Sequence, residues 1–200
     1  VIEDEHGKDR ILIGAPIPFS KDRVRTDTAR VKKLFAKTII PKNPDLYMKY
    51  YSEYSHSATG MVVLNDKGID VVQYGDKLSD PNTGKRQFAI SGLIWNAQNG
   101  TELGGIGINT LANGKSRGVF GFDDPSDGGS EALHGGVLED GSRFLILRDN
   151  EGSFVMGMGK PKNPFFQNND TSTFVGMRYF DKKGTKIWEQ QMNKQNTKNN

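Results

Sequence analysis

Three stretches decide the fold: GMVVLNDKGIDVVQYG (residues 60–75), GLIWNAQNGTELGGIG (92–107) and FLILRDNEGSFVMGMG (144–159). In each, a central glycine (Gly68, Gly100 or Gly152) stands eight residues after the segment start and seven before a closing glycine (Gly75, Gly107 or Gly159). Apolar β-formers such as Met61, Val62, Val63 and Leu64 run into a turn such as Asn65-x-x-Gly68, and a second run from Ile69 to Tyr74 returns. That is a β-hairpin, with glycine supplying the positive φ that closes a short loop.

The same frame recurs outward from these copies. HGKDRILIG (6–14) holds the second half, from Gly7 to Gly14, GMRYFDKKG (176–184) holds the first half, and Gly121, Gly129 and Gly136 share the spacing. Asn113-Gly114 and Asp140-Gly141 add turn signals between units. The chain is therefore read as all-β, an antiparallel meander of repeated hairpins with about ten to twelve strands. Central glycines after position 68 lie 23 to 32 residues apart, short of the ~40 residues a four-stranded propeller blade needs. A closed or strongly curved, barrel-like sheet is expected, with a small β-propeller as the alternative.

Only one stretch breaks the pattern, an insert at about 26–55. Asp27 or Thr28 can cap a helix with Val31, Leu34, Phe35 and Ile39 on one face and Arg30, Lys32, Lys33 and Lys37 solvated. Asn43-Pro44-Asp45 signals a second helix, in which Tyr47, Tyr50, Tyr51 and Tyr54 recur at helical spacing. This two-helix insert is expected to cap one end of the sheet. A basic helix beside a tyrosine stripe is also a candidate ligand surface, although such stripes more often pack inward.

The 200 residues suit one domain over 1–190 and a polar C-terminal tail over 191–200. With 34% hydrophobic residues and 24 Gly and 8 Pro, the composition is turn-rich and globular. There is no cysteine, which excludes disulfides, thiolate zinc sites and cysteine nucleophiles. Net charge is +3 overall, but residues 21–42 alone hold eight Lys/Arg against two Asp. The basic character is local, and nucleic acid is not an expected partner.

No HExxH, Walker or EF-hand pattern occurs. The densest polar stretch is GFDDPSDGGSEALHGG (121–136). Asp123, Asp124 and Asp127 surround a Pro-Ser turn and are the candidate metal ligands, with Ca²⁺ the ion such oxygens suit; otherwise no cofactor is expected. His134 with Asp123 or Asp124 is the candidate acid/base group of a small-molecule hydrolase or lyase. On a strand, Glu131 and His134 face opposite sides and are not expected to converge. The plainer reading makes the acids turn residues and His134 a core histidine.

DPNTGKR (80–86) aligns at an offset of 61 with the stretch after Gly14, matching Gly14 to Gly75 and Arg25 to Arg86. Arg25, Lys85 and Arg86 are candidate anion ligands, and salt bridges to turn carboxylates are the alternative.

DPNTGKR (80–86), GLIWNAQNGTELGGIG (92–107), GVFGFD (118–123) and EALHGG (131–136) together resemble a group of uncharacterised bacterial proteins built of short glycine-punctuated β-repeats. Members often begin with a hydrophobic anchor or export segment. The resemblance implies repeat architecture, an extracytoplasmic place in the cell envelope, and membrane proximity through an anchor preceding residue 1. It implies no catalytic residue. The leading expectation is a non-enzymatic β-repeat module that binds a ligand or protein partner; the alternatives are the hydrolase or lyase and a structural envelope protein.

Overall fold

The computed structural model describes residues 1–81, 89–127, 130–160, 163, 166 and 173–192. Twelve strands follow one another in chain order: β1 (Ile2–Glu3), β2 (Asp9–Gly14), β3 (Thr59–Leu64), β4 (Asp70–Leu78), β5 (Ala89–Asn96), β6 (Glu102–Thr110), β7 (Ser116–Asp124), β8 (Ser130–Val137), β9 (Arg143–Arg148), β10 (Gly152–Gly159), β11 (Phe174–Asp181) and β12 (Lys186–Gln191). Each is a sheet neighbour of the next. The hairpin meander is thus present, but the order does not return on itself. The sheet is not closed, because β1 and β12 end the order without pairing with each other.

The glycine frame has a direct structural meaning. Equal arms on either side of a turn place the first and last glycines of a hairpin opposite each other, so Gly60 pairs with Gly75 and Gly92 with Gly107. Neighbouring hairpins keep the register, since Gly14 faces Gly60 and Gly75 faces Gly92. Five glycines therefore form one row across β2 to β6. At Gly60 and Gly75, φ is +144° and +150°, and a Cβ would lie 2.0 Å from the carbonyl oxygens of Tyr74 and Thr59 respectively. No side chain fits there without moving backbone.

The turns follow the expected chemistry at most copies. At the first, Asn65 Oδ1 accepts from the amides of Lys67 and Ile69, and Gly68 closes the loop at φ +78°. The third copy departs from it. Gly152 opens β10 opposite Asp181, and Asp149 makes the turn by accepting from the Glu151 and Gly152 amides. Gly129 lies outside the described residues.

The chain divides into two compact units, Val1–Ser116 with Phe122–Ser130, and Arg117–Gly121 with Glu131–Asn200. In the first, Leu12, Val62, Gln73 and Ile94 form a buried row on the same face as the glycines. The insert closes the turn end of this unit. Asp27 is its cap, accepting from the Ala29 and Arg30 amides; α1 (Thr28–Val31), a π-helical turn (Lys32–Ala36) and α2 (Lys37–Ile39) form one run, followed by α3 (Pro44–Tyr51), capped by Asn43. Val24, Val31, Phe35, Ala36, Tyr47, Tyr51 and Ile69 make a common core. The Phe35 ring sits where a Cβ on Gly100 would be, and the Val24 amide donates to the Gly68 carbonyl at 2.7 Å, so both hairpin turns dock on the insert. Lys32, Lys33 and Lys37 remain exposed, while Arg30 reaches the carbonyls of Lys21, Asp22 and Lys67.

The second unit buries Leu138, Phe144, Ile146, Val155, Phe166, Phe174 and Phe180. Phe166 lies over Gly159 as Phe35 lies over Gly100, and its carbonyl accepts from buried Arg178. Among the described residues, no helix is long and apolar enough to cross a membrane.

Candidate functional site

Three places merit description: a buried charge cluster in the first unit, the acidic turn with His134, and the outer face of the sheet. The cluster begins at Asp70, the first residue of β4, which is 1% exposed. Arg23 grips it with both ends of its fork, Nε to Oδ1 at 2.9 Å and Nη2 to Oδ2 at 2.7 Å. Arg25 approaches the same carboxylate, with Nε 3.4 Å from Oδ2. Its other nitrogens donate to Tyr47 Oη and the Pro81 carbonyl, and its guanidinium lies between the rings of Phe35 and Tyr54, 4.5 and 5.0 Å from their centroids. Burial alone would push Asp70 up, but the charge and hydrogen bonds of Arg23, with the charge of Arg25, hold it below the usual carboxylate range.

These contacts decide where the tyrosine stripe points. Tyr47 and Tyr51 are buried, Tyr51 is pushed up by burial, and its hydroxyl donates to the Arg25 carbonyl. Tyr54 is half-buried, stacked on Tyr51 and edge-on to His56, and Tyr50 is partly exposed. Arg25, Tyr47 and Tyr51 are therefore buried against one another, with Arg25 beside Asp70. Lys85 and Arg86, the other candidate anion ligands, lie outside the described residues.

In the acidic turn, Asp124 Oδ1 accepts from the amide and the hydroxyl of Ser126 at 2.7 and 2.6 Å. This is the side-chain turn expected of Asp before Pro-Ser. Asp123 lies beside it at the end of β7, and the Asp127 side chain is outside the described residues. Among the described residues no three His, Asp or Glu side chains are grouped to hold a metal ion.

Asp123 and Asp124 belong to the first unit, and His134 to the second. His134 stands on β8 opposite Ile146, edge-on to Phe144 with ring centroids 5.5 Å apart. Contrary to the strand-parity expectation, Glu131 does reach it. The length of Glu131 carries its carboxylate round to 3.7 Å from Nδ1, and the same oxygen is 3.7 Å from Arg148. Burial pushes the imidazole down, Glu131 opposes this, and Arg148 adds to it. The balance favours the neutral imidazole in this half-buried place.

The outer face is the site that residue-by-residue motif reading misses. Strand alternation puts Ile11, Val63, Val72 and Trp95 in one cross-strand row, and Ile13, Met61, Tyr74, Leu93 and Ile106 in the next. Neither row contains a charged residue. Both face away from the glycines and the buried row, and Ile13, Tyr74 and Ile106 are 57%, 59% and 55% exposed. Ile108 and Phe122 extend the surface, Phe122 packing on Trp95 with centroids 5.3 Å apart. The second unit repeats the design, with a row of Leu133, Leu147, Phe154, Tyr179 and Trp188 in which Leu147 and Trp188 are exposed. The signal for this face was present in the sequence. Runs such as MVVL and GLIW are apolar at successive positions, which is the pattern of strands covered on both faces.

Comparison with family models, curated proteins and solved structures returns no match.

Proposed function

We propose that the chain is a non-enzymatic β-repeat module that acts by binding a partner through the outer, apolar face of its sheet. One observation carries this reading: two adjacent charge-free rows across β2 to β6 are apolar, yet among the described residues only the opposite face is covered. Contiguous apolar surface of this extent is characteristic of interaction sites. The proposal places the module outside the cytoplasm, as its resemblance to anchored or exported repeat proteins implies.

A photo-cross-linking residue at position 106, expressed in the source cell, tests the reading. A defined adduct, identified by mass spectrometry and missing when the probe stands at exposed Lys32, is the expected result. Equal labelling at the two positions would sink the idea.

A further inference from the structure

We propose that the occupant of the β2 to β6 face is a second copy of this chain, related by a two-fold axis and stacked sheet on sheet. This rests on the reading of the face as a binding surface and adds the identity of what binds. Area is the first reason. Ile13, Tyr74, Ile106, Ile108 and Phe122 are each about half exposed, and at roughly 100 Å² apiece they offer on the order of 500 Å². The partly exposed Ile11, Met61, Val63, Val72, Leu93 and Trp95 lie between them. Together they approach the ~800 Å² per partner of a stable interface.

Self-complementarity is the second reason. In a two-fold contact each residue meets the same patch on the other copy, so a face carrying one sign of charge would repel itself. The two rows carry none. They mix Ile, Val, Leu and Met with one Tyr and one Trp. Two such sheets stack about 10 Å apart with interdigitated side chains, the ordinary arrangement of a β-sandwich.

Sedimentation equilibrium of the purified chain between about 1 and 100 µM is the test. The wild type is expected to be dimeric in this range. Tyr74→Lys is expected to raise the dissociation constant about 100-fold, because the symmetry axis brings in the charge twice at the centre of the contact. Tyr74→Ser and Ile108→Ser, milder changes at exposed positions, are expected to weaken association in the same direction with an unchanged circular dichroism spectrum. A monomeric wild type overturns the proposal. So does a dimer that all three variants leave intact, or a monomer that co-sediments with phosphatidylcholine vesicles, which would assign the face to lipid. A monomer that still gives a position-106 adduct with a different protein overturns only the second copy and leaves the binding reading standing.

Discussion

Replacing Asp70 by alanine removes the carboxylate that lies between two buried guanidinium groups. Arg23 and Arg25 are 5% and 1% exposed, and Asp70 is the carboxylate that both of them contact. Breaking a buried ion pair from one side costs about 3–5 kcal/mol, because the remaining charge stays desolvated. That is a large part of the ~5–15 kcal/mol by which a domain is stable. The two arginines are not equivalent. Arg23 makes two short hydrogen bonds to Asp70, whereas Arg25 lies 3.4 Å away and has Tyr47, Pro81 and two aromatic rings as further partners. Urea unfolding followed by circular dichroism should therefore rank the losses Asp70→Ala first, Arg23→Met second and Arg25→Met third. Combined replacement by Asp70→Leu, Arg23→Met and Arg25→Met should lose less than Asp70→Ala alone, since no buried charge is then stranded. A loss below about 1 kcal/mol for Asp70→Ala, or a triple variant less stable than the single one, would refute the reasoning.

Gly75→Ala should destabilise by about 3 kcal/mol or more, combining an unfavourable φ with collision against the Thr59 carbonyl. Gly114→Ala, at φ +79° with nothing within 4 Å of the added carbon, should cost only about 1–2 kcal/mol in the same urea experiment. Acid should act in two steps. Burial, with Arg23 and Arg25, lowers His56, and burial with Arg148 lowers His134. Because their folded pKa values lie below the unfolded value of about 6.5, stability is full above that pH and declines as pH falls through it. Asp70, also lowered, keeps its contribution above about pH 3.9 and loses it only below. His56→Gln with His134→Gln should remove the first decline and leave the second, as read from melting temperature against pH.

The periodic parts of the structure are legible in the sequence. Equal glycine arms announced hairpins, and twelve strands fall at the upper end of the expected number. Asp27 and Asn43-Pro44 marked both helix starts because capping is local chemistry. What was not legible depends on residues far apart in sequence. Arg25 read as a candidate anion ligand and Arg23 only as part of a basic stretch, since nothing local shows that Asp70, 47 residues beyond Arg23, is buried between them. The tyrosine stripe was equally ambiguous until that cluster turned Tyr47 and Tyr51 inward. A closed or strongly curved sheet was expected from repeat length alone, which sets hairpin size but not whether β1 meets β12. Successive apolar positions such as Leu93 and Ile94 showed that both faces are apolar, but not that the described residues cover just one.

The central claim is that one face of β2 to β6 is core and the other is open for a partner. The absence of native cysteine allows a direct measurement, the thiol-labelling rates of Ile106→Cys and Ile94→Cys in dilute folded protein. Position 106 should label at nearly the rate of an unfolded peptide, and position 94 only as fast as the protein opens. Protection of both positions at all dilutions would mean that the chain covers this face itself, and would contradict the account.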